Sequence, residues 1–191
     1  MSDIKMNEKE KKEAKSQARL DYEEGLSLLK SGQTAQAANM FHNALLGFEQ
    51  EKDSIGVANA ADKLGDICAE RRDMEKALQH YDRVTSICHD QGDSLSVFSL
   101  DKKKAKLYAD CGRHEEAIAR YLDIIDEYNA MRNPQGTVST LEILAGIYID
   151  AGKRYKAADC FRTAASIHAK YKHAKHAEAL LKKAEEVLIE A

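Results

Sequence analysis

Small and apolar residues recur along the chain at helical spacing, and the same arrangement returns every 40 residues. Four segments line up at that shift: SGQTAQAANMFHNAL, ERRDMEKALQHYDRV, DCGRHEEAIARYLDI and DAGKRYKAADCFRTA. In each, an alanine (Ala37, Ala77, Ala117, Ala157) is followed four residues later by an aromatic (Phe41, Tyr81, Tyr121, Phe161). Three residues further stands a small or apolar residue: Ala44, Val84, Ile124 and Ala164. Spacings of four and three put these side chains on one face of a helix. A second helix precedes each segment, with Gly25, Gly65, Ala105 and Ala145 at matching places and Leu28, Cys68, Tyr108 and Tyr148 three residues on. A small residue between large ones lets two antiparallel helices approach closely, so each block predicts a helical hairpin.

The boundaries carry their own signals. Gly32, Gly112 and Gly152 fall between the two helices of a block, where a helix end favours the left-handed region. Arg72 replaces that glycine in the second block, so its turn is expected to close another way. Asp53, Asp93 and Asn133 recur at the far end of the blocks as N-caps, and Pro134 takes the first helical position, where a missing N–H costs nothing. Asn7 with Glu10 reads as a capping box for the first helix. The expected helices are ~8–30, ~34–51, ~54–70, ~74–91, ~94–111, ~114–131, ~134–151, ~154–171 and ~174–190, with margins of about 2–4 residues. The last carries Ala177, Leu180, Leu181, Ala184 and Leu188 on one stripe and charges opposite, as the capping helix of a stack requires.

Composition narrows the function classes. Lys+Arg 29 against Asp+Glu 32 gives a net charge of -3, which argues against a general nucleic-acid binder. One proline, ten glycines and no tryptophan among 191 residues fit helix throughout. No apolar run approaches the ~18 residues of a membrane span, and the charged opening MSDIKMNEKEKKEAK has no signal-peptide core. The expectation is a soluble, cytoplasmic protein, a monomer or weak homodimer without membrane contact.

The alternation of small and aromatic residues, after helices with Leu64–Gly65 or Ala105–Tyr108 spacing, resembles the tetratricopeptide repeat (TPR) over residues 17–172. The second block, with Leu64, Gly65, Asp73, Ala77 and Tyr81, matches most fully. The period is 40 residues where the common form has 34, and Glu49, His89, Asn129 and Ala169 stand where a closing proline is often found. The chain is similar to the 40-residue variant of kinesin light chains and G-protein-regulator adaptors. The resemblance implies an all-α, right-handed superhelical solenoid of four hairpins (17–172), a charged leader (1–16) that extends the first helix or frays, and a capping helix (173–191).

The resemblance also implies that the first helix of each hairpin lines a concave groove. The groove positions taken as the candidate partner site are Tyr22, Leu26 and Leu29 in the first repeat, Lys63 and Asp66 in the second, Lys102, Lys103 and Lys106 in the third, and Glu142 and Ile149 in the fourth. From spacing alone, these lie on the side away from the Gly/Ala seam. Lys102 and Lys106 are the sharpest contacts for a partner carboxylate, although Asp101 and Asp110 are local partners that would make this an ordinary solvated face. Tyr22, Leu26 and Leu29 are either an apolar anchor or packing for the leader. Asp101 and Lys104 replace apolar residues of other repeats and are expected to be exposed, paired locally. A chaperone-tail carboxylate clamp would need Tyr22, Leu26, Lys63, Ser99 and Lys103 as its five positions; only two are basic and both asparagines are missing.

Chemistry is sparse. His173 and His176, with His168 a turn earlier, suggest a divalent-metal face, but nothing in the sequence completes four ligands, so no metal site and no cofactor are expected. Phosphate-loop motifs are absent and no catalytic triad can be drawn. Cys68 and Cys160 fall on buried faces and Cys111 at a helix end. The favoured function is a non-catalytic scaffold or adaptor that binds a peptide or amphipathic helix of another protein. The alternative is a constitutive subunit of a larger assembly, held through helix ends or the convex face.

Overall fold

The structure, a computed structural model, describes residues 15–189. Among them are nine α-helices and no strand: α1 (Gln17–Lys30), α2 (Thr34–Glu51), α3 (Ser54–Glu70), α4 (Met74–Asp90), α5 (Ser94–Asp110), α6 (His114–Ala130), α7 (Pro134–Asp150), α8 (Arg154–Lys170) and α9 (Ala174–Ile189). The bounds from α2 to α9 fall within a residue of those read from the sequence. The first helix does not: Lys15 and Ser16 are not helical, and Ser16, in extended backbone, accepts the Arg19 N–H on its side chain and caps α1. The capping box read at Asn7 and Glu10 lies outside the described residues.

One turn geometry joins every helix to the next. At Gly32, Lys52, Arg72, Gly92, Gly112, Arg132, Gly152 and Lys172, a 20-residue period, φ lies between 53° and 77°. At each the left-handed residue donates its N–H three residues back, and the next residue donates to the carbonyl five back, as Gly32 does to Leu29 and Gln33 to Leu28. This pair of bonds satisfies helix-end carbonyls that would otherwise be unpaired. The expectation that Arg72 closes its turn differently is corrected: its φ is 58°, with N–H bonds from Arg72 to Ala69 and Asp73 to Cys68, both 2.9 Å. The two bonds outweigh the ~1–2 kcal/mol that a side chain costs in the left-handed region.

Helix starts differ in kind, and Asp73 caps α4 by accepting the Lys76 N–H on its side chain. Asp53, Asp93 and Asn133 cap α3, α5 and α7 by accepting the N–H three residues on, and Pro134 opens α7, as read from the sequence. Gln33, Arg113 and Lys153 precede α2, α6 and α8 without a side-chain cap bond.

The chain divides into two compact units, Met1–Val97 and Phe98–Ala191. In the first, α1 packs on α2, α2 on α3 and α3 on α4. Phe41 is fully buried beside Gly25, and a Cβ built on Gly25 would stand 2.8 Å from its ring. Gly65 meets Tyr81 in the same way at 2.6 Å. Helix approach at these two seams therefore depends on the missing side chain.

In the second unit, α7 packs on α6 and α8, and α9 on α8. Its core includes Leu144, Ile147, Tyr148, Phe161 and the alanines 145, 157, 158, 164 and 165, closed by Ala177, Leu180 and Ala184 of α9. Leu181 does not join this stripe: it is 48% exposed at the edge of the α9 face, and Leu188 is half-buried.

Two further expectations change. Lys104 is buried, at 6% exposure, and Asp101 is half-buried. The four-carbon stem of a lysine covers apolar surface while its ammonium reaches a polar group, so an apolar helix position accepts it. Cys68 is half-buried, whereas Cys88 joins Cys160 as a buried thiol. Cys68 lies in the last turn of α3, which ends at Glu70.

Candidate interaction surfaces

All ten candidate groove residues reach the surface: Lys106 is exposed, and the other nine are half-buried. Their surroundings differ. In the first unit, Tyr22 is held edge-on against Phe41 and Phe48, with ring centroids 5.5 and 6.4 Å away. Its ring is thus part of the α1–α2 seam, leaving one side accessible beside Leu26 and Leu29. Lys63 lies 3.4 Å from Asp62 and 3.7 Å from Asp66. Asp66 also accepts the Tyr81 hydroxyl at 2.9 Å, which ties the outer face of α3 to the buried ring of α4. Burial first, then the Asp66 carboxylate, pushes the Tyr81 phenol far above its usual range, so it acts as a fixed donor.

In the second unit, Lys102 sits over two rings, 4.9 Å from the Phe98 centroid and 5.9 Å from that of Tyr128. Those rings meet edge to face at 5.0 Å, and Lys102 donates to the Tyr128 hydroxyl at 3.5 Å. A cation on an aromatic pair is oriented without being neutralised. Lys106 pairs with Asp110 one turn on, the local partner foreseen from the sequence. Lys103 is half-buried. On α7, Glu142 bonds Lys183 of α9 at 3.1 Å, and Ile149 packs against the core.

Two clefts flank Tyr171, itself 51% exposed. One of about 330 Å³ is lined by Pro134, Gln135, Val138, Ser139 and Glu142 of α7, Ile167 and His168 of α8, and Tyr171, His173 and His176. The other, about 370 Å³, holds Asn129, Arg132, Asn133, Thr137 and Lys170. The sequence reading missed both, because each forms where the ends of three successive helices meet: α7, α8 and α9 at the first, α6, α7 and α8 at the second. It did single out the three histidines, and the structure brings their rings together.

Nucleophiles are subdued. Burial pushes the Cys160 thiol up to about 11 and raises those of Cys68 and Cys88. Among the described residues no three ligand side chains converge on a metal position, and no helix is long and apolar enough to cross a membrane.

The fold is shared with solved TPR-like proteins. Apo RapI superposes with a TM-score of 0.73 at 14% identity, covering 94% of this chain and 52% of RapI, so the chain spans about half of RapI's length. The nearly identical TPR-like repeats of a Podosopora anserina kinesin light chain give 0.67 at 15% identity, covering 92% and 94%. A Rap protein complexed with competence and sporulation factor gives 0.61 at 15%, covering 94% and 55%. The kinesin light chain likeness agrees with the 40-residue TPR form seen in the sequence. No curated protein sequence matches the chain. The family model of SNAP, the soluble NSF attachment protein, matches residues 3–144 of the 191; this TPR-type helical-repeat chain belongs to the SNAP family.

Proposed function

We propose that the chain is a non-catalytic scaffold that holds a peptide segment or helix of another protein on the outer faces of its first helices, α1 and α3 in the first unit and α5 and α7 in the second. The observation that carries this reading is that every candidate position on those faces reaches the surface, while the opposite faces are spent on the core. The charges are mixed, acidic and basic on α3 and basic on α5, which suits a mixed-charge or amphipathic segment better than a polyanion. The family description adds support, since attachment to NSF is a protein–protein role. NSF is accordingly one partner to try, and the Rap protein complexed with competence and sporulation factor is a neighbour of this fold that holds a partner.

The alternative, a built-in subunit contacting its assembly through helix ends, has its own support. Ile55 and Leu95 in the first unit, and Met131, Tyr155 and Tyr171 in the second, are exposed apolar residues at helix termini.

Capture from native lysate at low and high salt, with the complex sized, tests the two. The scaffold reading expects a partner that is weakened by salt and by Lys102→Glu with Lys106→Glu, helicity being unchanged. A stoichiometric, salt-resistant complex indifferent to that double substitution supports the subunit reading instead.

A further inference from the structure

His168 lies in the last turn of α8; across the turn at Lys172, His173 immediately precedes α9 and His176 stands in its first turn. Their ring centroids lie 5.6, 5.1 and 6.1 Å apart, and Nδ1 of His168 stands 3.3 Å from Nδ1 of His173. Two nitrogens bound to one tetrahedral ion at about 2.0–2.1 Å stand about 3.3–3.4 Å apart, the separation this pair already has. We propose that the three histidines form a site for a divalent transition-metal ion of the zinc, nickel and copper group, with His168 and His173 bound through Nδ1 and His176 completing the set.

The third ligand has to turn. His176 is stacked on His168 with ring planes 28° apart, so its donors do not face the pair, and the three do not converge as they stand. His176 is exposed, on the first turn of α9, and leaving its stack on His168 takes only a change of side-chain rotamer. The 330 Å³ cleft beside the rings gives an ion access and room for a bound water, and Glu142 adds a carboxylate to its wall. Imidazole suits this metal group and not magnesium or calcium, which take oxygen ligands. Bound metal would clamp the α8–α9 turn. The sequence supplies only three ligands, which fits an exposed, exchangeable site with solvent in the fourth position better than a closed structural one.

Calorimetric titration of the chelator-treated full chain with zinc, nickel or magnesium salts tests the proposal, with imidazole NMR shifts as a second readout. The expected result is one equivalent of zinc or nickel bound, no magnesium, and imidazole shifts at all three positions. His173→Gln should weaken binding at least tenfold, His176→Ala by a smaller but measurable factor, and His89→Ala on α4 not at all. His173 and His176 are exposed, and circular dichroism confirms that each variant folds. Absence of saturable zinc or nickel binding, or binding unchanged in His173→Gln, overturns the site. Unchanged binding in His176→Ala overturns the three-histidine form.

Discussion

In the first unit the small residue at each hairpin seam is glycine, and in the second it is alanine. Gly25 and Gly65 face Phe41 and Tyr81 so closely that even a Cβ would collide with the ring. At the matching places Ala105 and Ala145 are fully buried in the core that also holds Tyr121 and Phe161, so there the seam already accommodates the methyl group. One repeat pattern thus covers two seam geometries, and the spacing of small and aromatic residues does not reveal which is present.

The largest effect should come from emptying the tighter seam. Phe41→Ala leaves a cavity in a fully buried position and is expected to cost ~3–5 kcal/mol, read by urea unfolding. Phe161→Ala, at 7% exposure, should cost less; an equal or larger loss there would break the distinction between the units. Overfilling comes next. Gly65→Leu should cost ~1–3 kcal/mol by forcing Tyr81 aside. In the looser seam, Ala145→Gly should cost only ~0.5–1 kcal/mol, chiefly in backbone entropy. A fully stable Gly65→Leu protein would show that the repeat register is wrong.

A smaller effect separates the turns. Arg72 closes the second hairpin of the first unit in the left-handed region, where Gly112 closes the first hairpin turn of the second. Arg72→Gly should therefore stabilise and Gly112→Arg destabilise, each by ~1 kcal/mol in thermal unfolding. The smallest effect concerns the caps. The Ser96 hydroxyl, 2.6 Å from Asp93, and the Ser96 N–H hold the Asp93 carboxyl below its usual range. Its contribution is present above the ordinary carboxylate range and fades as pH falls through the lowered value. Asn133, the corresponding cap of α7, is neutral and titrates nothing. Acid titration of unfolding should show Asp93→Asn flattening the pH dependence while Asn133→Asp adds to it.

The helical hairpins, the turn glycines and the Asp and Asn caps were legible because each depends on residues a few positions apart. Arg72 and Lys104 were not, since local rules assign arginine away from left-handed backbone and lysine away from a buried face. The paired backbone bonds of the helix-end turn at Arg72 and the aliphatic stem of Lys104 override those preferences. Among site residues, helical spacing was enough to place Lys63, Lys106 and Glu142 at the surface. It could not show that Lys102 rests on Tyr128, 26 residues away, or that His168 meets His173 across a turn, because such contacts arise only when one helix end is packed beside another.

The reading of the first-helix faces as the partner site is tested most directly by photo-crosslinking. A photoreactive residue would replace Asn59, Ser99 or Ser139 on those faces, or Tyr155 at a helix end, all exposed. The account predicts partner crosslinks from positions 59, 99 and 139 and little from 155. Crosslinks from 155 alone, with the face positions silent, would contradict it.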